Sequence, residues 1–138
     1  MIGIVCISHG KMAEGILDTV KFLMGDEVTQ LESLALQMDD NPTDFRDKLD
    51  HAIKQVDTGE GVIVLADLFG GTPANQSMYL LSDKVKVITG MNLPMLMELL
   101  LTRNDKLNDD FIDKVIDCGK QGICCLNNIH IDEEDNDE

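Results

Sequence analysis

GVIVLAD, residues 61–67, is apolar without interruption until it stops at an acid. A strand with one wet face alternates apolar and polar side chains, whereas a strand covered on both faces does not. The stretch therefore predicts a central strand of a parallel sheet. Residues 2–7 (IGIVCI) have the same character and are followed by Ser8-His9-Gly10. Two buried strands thus end beside chemically competent side chains, His9 and Asp67.

Outward from this pair, β-branched runs alternate with helical periods, the pattern of βαβ units. Met12, Ala13, Ile16, Leu17, Val20, Leu23 and Met24 share a helical face ahead of Gly25, predicting a first helix over 11–24. A second strand fits within 29–36, weakened by Glu32 and Ser33 and so placed at or near an edge. Asp40-Asn41-Pro42 supplies a cap and a first-turn proline for a helix that carries Phe45, Leu49, Ala52, Ile53 and Val56 and stops near Gly59. Thr72 and Pro73 read as cap and first turn of a helix to about Leu81, and residues 85–89 (VKVIT) make a fourth strand. The helix begun by Asn92-Leu93-Pro94 is apolar nearly all round, as expected of one doubly buried by core or partner. A helix over 108–118 carries a single stripe of Phe111, Ile112, Val115 and Ile116. Residues 123–131 follow Gly122 with no helix to return them across the sheet, so they should pair antiparallel or elsewhere. The predicted class is α/β: a doubly wound, mostly parallel sheet with helices on both faces, in a single domain over 1–131.

The formal charge is −15, from 26 acids against 11 bases. Such a chain repels a phosphate backbone or an anionic lipid surface, which excludes nucleic acid as a partner. Residues 132–138 (DEEDNDE) form an acidic run with nothing to pack and should be a solvated tail. No apolar segment approaches the ~20 residues of a membrane span, and no basic flank of a signal peptide precedes the first strand, so a cytoplasmic location is expected. Cys6, Cys118, Cys124 and Cys125 contain no CxxC spacing and read as reduced thiols. No metal or cofactor is called for.

Alone, His9 could cap the first helix and Asp67 could open a turn. In a doubly wound sheet of order 2-1-3-4, however, strands one and three are neighbours at the switch point, where a crevice opens beyond their carboxyl ends. If the sheet takes that order, the carboxylate can accept the Nδ1 proton and leave the Nε2 lone pair free. A histidine so held is a nucleophile or a base. After Asp67, Leu68-Phe69-Gly70-Gly71-Thr72-Pro73-Ala74-Asn75 is a glycine turn leading into a helix, suited to an anion. It lacks the Walker lysine and the GxGxxG spacing, so it predicts an anion site and no nucleotide site.

With SHG at residues 8–10 and DLFGGTPAN at 67–75, nearly the whole chain resembles the IIA component of the mannose-class sugar phosphotransferase system. The resemblance implies a carrier that takes a phosphoryl group from the phosphohistidine of HPr onto His9 and gives it to a histidine of the IIB component. It implies Asp67 as the carboxylate that orients His9 and Thr72 as a hydroxyl near the phosphoryl group, while Gly70 and Gly71, from the glycine turn read above, are the candidates to receive the phosphoryl oxygens. It also implies a homodimer in which an antiparallel fifth strand, here residues 123–131, is exchanged between subunits. Contact with the membrane would be indirect, through the IIC and IID subunits. With 138 residues there is no room for a fused IIB domain, so IIB is expected on another chain.

Three other readings are distinguishable. The phosphotransfer subunit of dihydroxyacetone kinase has a similar fold and the same kind of histidine, but usually a GSA-type turn where this chain has Phe69-Gly70-Gly71-Thr72-Pro73. A receiver-like module would phosphorylate Asp67, yet receivers hold magnesium with an acidic pair after strand one, where this chain has Ser8-His9. A plain binding module would use His9 without turnover. His51 and His130 read as ordinary surface residues, and Cys6 as core, since no base adjoins it.

Overall fold

The central strand pair forms as the apolar runs dictate. In the computed structural model, which describes residues 1–129, strand β1 (Gly3–His9) lies parallel to β3 (Val62–Ala66), with Ile7 opposite Ala66. The acidic tail expected over 132–138 lies outside the described residues, as do His130 and Ile131. β2 (Leu31–Leu36) and β4 (Val85–Thr89) flank the pair, giving four parallel strands in the order β2-β1-β3-β4. The polar interruptions at Glu32 and Ser33 thus belong to an edge strand, as expected.

Because side chains alternate across a strand, β1 and β3 each contribute to two cores. Ile4, Cys6, Ile63 and Leu65 pack under α1 (Met12–Met24), α4 (Leu93–Thr102) and α5 (Asp109–Gln121) on one face. Val5, Ile7, Val62, Val64 and Ala66 face α2 (Pro42–Val56) and α3 (Thr72–Ser77) on the other. Each fully buried aliphatic side chain contributes about 1.5–3 kcal/mol relative to exposure, so the uninterrupted hydrophobicity of both strands is what fixes the sandwiched sheet. Asn41, Asn92 and Asn108 cap α2, α4 and α5, accepting backbone N–H bonds from residues of the first turn.

The structure departs from the sequence expectation at several points: α5 runs on to Gln121, past the expected end at 118, and α3 has Gly71 at its N-cap, with Thr72 its first helical residue and making no capping bond. β1 continues past residue 7 to His9, because its ladder with β2 extends to His9 opposite Leu36. The helix expected to reach Leu81 is α only to Ser77 and then tightens into a 3₁₀ turn over Met78–Leu80. There the buried Ser77 Oγ donates to the Ala74 carbonyl at 2.6 Å, competing with regular helix bonding. α4 is buried along Met95, Leu96, Leu99 and Leu100, but Leu101 is 69 % exposed, so within one chain the helix is not covered all round. Over 123–129 the chain forms a short 3₁₀ turn, Leu126–Asn128, and no strand: in the single chain this run meets no sheet edge, and Ile123 and Leu126 stay exposed.

Candidate functional site

The strand order brings His9 and Asp67 together at the carboxyl end of the sheet. The Asp67 backbone N–H donates to the Ile7 carbonyl at 3.1 Å, carrying the β1–β3 register one residue beyond the strand. Its Oδ2 then lies 2.8 Å from His9 Nδ1 and accepts the His9 backbone N–H at 2.9 Å, while Oδ1 accepts the Leu68 N–H at 2.9 Å. Burial pushes the Asp67 carboxyl up, but the His9 ring bond, the two backbone N–H bonds and the charge of the imidazole together outweigh it and hold the group below its ordinary value. An ionised carboxylate only accepts, so the proton in the 2.8 Å contact sits on Nδ1. In the neutral tautomer so held, Nε2 keeps its lone pair.

The two partners differ in access: the Asp67 side chain is 7 % exposed and that of His9 45 %. The ring therefore reaches solvent from a buried anchor. Gly71, the residue that precedes α3, stands against the free edge: a β-carbon built there would fall 2.4 Å from His9 Cε1 and 3.0 Å from Nε2. Nε2 thus faces the start of α3. The backbone N–H groups of Gly70 and Gly71 make no hydrogen bond with another described residue, and neither does the Thr72 hydroxyl. The Asn75 side chain donates to the Gly70 carbonyl at 3.3 Å and so braces the turn from inside the helix.

Sequence reasoning singled out His9, Asp67, Gly70, Gly71 and Thr72; His9 ends β1, Thr72 begins α3, and Asp67, Gly70 and Gly71 lie in the turn between β3 and α3. It missed Asn75 as a brace, and it missed the setting. His9, Gly10, Leu36, Gln37 and Met38 line a shallow cleft of about 240 Å³. Met12, Met38, Leu68 and Phe69, from the loops and helix start that carry the site, are exposed, Phe69 to 87 %. Solvent-facing apolar side chains beside a motif histidine were the available signal. His51 is exposed in the middle of α2, and Cys6 is fully buried in the core with its thiol pushed up to about 12 by desolvation.

The protein-family model described as "PTS system fructose IIA component", the EIIA-man family, matches residues 3–116. The chain belongs to the mannose-class IIA family. Among relatives of this class, the "PTS system mannose-specific EIIAB component" of Escherichia coli K12 is 31 % identical over 128 residues, covering 91 % of this chain but 39 % of that protein. The chain therefore spans less than half the length of that relative. The "PTS system sorbose-specific EIIA component" of Lacticaseibacillus casei is 30 % identical over 104 residues, 74 % of each chain. Among solved structures, a phosphotransferase system component EIIA from Streptococcus agalactiae superposes with a TM-score of 0.84 at 32 % identity, covering 94 % of this chain and all of that one. A mannose/sorbose-specific IIA subunit from Enterococcus faecalis gives 0.81 at 25 % identity, covering 96 % and 97 %. No helix among the described residues of this IIA chain is long and apolar enough to cross a membrane.

Proposed function

We propose that the chain is a cytoplasmic phosphoryl carrier of a sugar phosphotransferase system, taking the group from phospho-HPr on His9 and handing it to a histidine of the IIB component. The observation that carries this reading is the 2.8 Å contact between His9 Nδ1 and a carboxylate, which leaves Nε2 as the free nucleophile facing a glycine turn. In the transfer, the Nε2 lone pair forms a bond to phosphorus as the N–P bond of the donor breaks, and the donor imidazole departs with that electron pair. Such a step depends on in-line positioning and charge stabilisation. Asp67 balances the positive charge that the phosphorylated ring carries at Nδ1–H. Gly70 and Gly71 offer backbone N–H groups, and Thr72 its hydroxyl, to the phosphoryl oxygens, as preorganised donors do at an oxyanion site.

The surroundings favour a protein as donor and acceptor. A small substrate needs an enclosed pocket, whereas His9 stands beside a shallow cleft and exposed methionine, leucine and phenylalanine side chains. On this reading the carrier never touches sugar, and the membrane is reached only through the IIC and IID subunits. The working form is a homodimer in which residues 123–131 of one subunit add an antiparallel fifth strand to the other. β4 supplies an unpaired edge for it among the described residues, and Ile123, Leu126 and Ile129 supply apolar side chains that a single chain leaves exposed.

The test is to incubate the protein with phosphoenolpyruvate, enzyme I and HPr and to read the intact mass. One added phosphate is expected on the parent and on His51→Ala, and none on His9→Ala. Full labelling of His9→Ala, or a parent that takes no phosphate, would overturn the carrier reading.

A further inference from the structure

We infer that Ser8 is a positioning residue for His9: its buried hydroxyl ties the turn that carries the imidazole to helix α1. The proposal rests on the carrier reading for its rate measurement but not for its spectroscopic one.

Alternation along β1 sends neighbouring side chains to opposite faces. His9 therefore points toward α3, while Ser8, fully buried, points toward α1. There its Oγ accepts the Ala13 backbone N–H at 2.8 Å and donates to the Gly10 carbonyl at 3.1 Å. A helix start ordinarily takes its cap from the residue beside the first turn. Here the N-cap residue is Lys11, whose side chain makes no capping bond, and the strand residue Ser8 does that work from five positions upstream of Ala13.

This arrangement closes a tight reversal. Gly10 has φ +55°, a conformation that favours glycine, and its N–H donates to the Leu36 carbonyl at 2.9 Å. Each residue of the tripeptide is thus tied to a different element: Ser8 to α1, His9 through its N–H to Asp67 beyond β3, and Gly10 to β2. Asp67 sets the rotation of the ring; Ser8 sets where its backbone sits. Without the hydroxyl, the Ala13 N–H loses its acceptor, the Gly10 carbonyl loses its donor, and the His9 Cα is freed on the α1 side. Displacing a reacting atom by about 1 Å can cost on the order of 10²-fold in rate.

The experiment compares the full-length parent with Ser8→Ala, Ser8→Cys and Ser8→Thr, each checked by thermal melt. Ser8→Cys nearly preserves the volume while supplying only a weak acceptor, so it guards against collapse of the alanine variant. Val56→Ala, at the amino end of the sheet against Gly3, controls for loss of stability alone. Rapid-quench transfer from phospho-HPr should slow by at least ~10-fold in Ser8→Ala and Ser8→Cys, stay within about threefold in Ser8→Thr, and be unchanged in Val56→Ala. In ¹⁵N spectra of the unphosphorylated proteins, the His9 imidazole should lose its single Nδ1–H tautomer in Ser8→Ala and Ser8→Cys and keep it in the other two. Parent-like rates and imidazole spectra in both Ser8→Ala and Ser8→Cys would overturn the proposal, and so would equal slowing in Val56→Ala. Should the parent accept no phosphate, the carrier reading fails while the spectra still decide the role of Ser8.

Discussion

Gly71 and His9 are in contact at the nitrogen that Asp67 leaves free: the space a Gly71 side chain would need is occupied by the Cε1–Nε2 edge of the imidazole, 2.4 and 3.0 Å from the position of its β-carbon. The glycine is thus a requirement of the site's geometry. It lets the start of α3 approach the ring from one side while the carboxylate holds it from the other.

Gly71→Ala should accordingly push either the ring or the turn aside. The residue lies in a loop outside both cores, so the fold should survive, with a melting temperature near that of the parent. Transfer from phospho-HPr should fall by at least ~10-fold, as expected of a displaced reacting atom. A parent-like rate would mean that the two loops are held less tightly than this contact requires.

Asp67→Asn replaces the carboxylate with a group of the same shape and no charge. Its carbonyl can still accept from Nδ1–H, but its amide can instead donate to Nδ1 and leave the wrong nitrogen protonated. General-base and orienting contributions are typically worth about 10²–10⁴-fold, so a slowing of at least ~10-fold is expected, with His9 still the labelled residue. Rapid-quench rates on folded protein decide the point; transfer within roughly a factor of two of the parent would show that the strand ends do not cooperate.

Cys6 gives the fold a signature at high pH. Burial raises its thiol from 9.0 to about 12. Below the lower value the thiol is neutral in folded and unfolded chains alike and stability is unaffected. As pH rises from 9.0 towards about 12 the unfolded chain releases a proton that the folded chain retains, so stability falls. Denaturant melts across this window should decline less steeply for Cys6→Ala than for the parent. At mildly alkaline pH, iodoacetamide should modify the exposed Cys124 and Cys125 and spare Cys6 until the chain unfolds. Early modification of Cys6, or parallel pH slopes, would contradict its place in the core.

The strand-exchanged dimer predicts opposite outcomes for two truncations. Removing residues 123–138 should give a monomer or an aggregate, because β4 loses its added strand; removing only 132–138 should change little. Sedimentation at micromolar concentration reads both. A full-length protein that sediments as a stable monomer would count against the exchange.

What was legible in the sequence depended on local chemistry. Residues 61–67 and 2–7 could be read as sandwiched strands because hydrophobicity on both faces has few other causes, and Asn41-Pro42 and Asn92-Leu93-Pro94 announced helix starts through caps whose partners are only residues away. His9 and Asp67 could be paired only by assuming a strand order, which the sheet then supplied. Contacts that join distant segments were not legible. Arg103, just past the end of α4, is 5 % exposed and donates to the carbonyls of Ile2, Thr29 and Gln30, knitting the amino ends of β1 and β2. No periodicity encodes such a partner set. Ser8 was hidden for a similar reason, since its hydroxyl is used five residues away across a turn. The run after Gly122 was read as extended, but within the single chain its described part forms only the 3₁₀ turn Leu126–Asn128 and pairs with no strand.

The central claim is that Asp67 reserves Nδ1 and leaves Nε2 to carry the phosphoryl group. It is tested most directly by ¹⁵N-labelling the histidines, phosphorylating the protein through enzyme I and HPr, and locating the ³¹P–¹⁵N coupling in the His9 ring. The account predicts coupling to Nε2 alone, with a proton still on Nδ1. Coupling to Nδ1, or a phosphate on any residue other than His9, would contradict it.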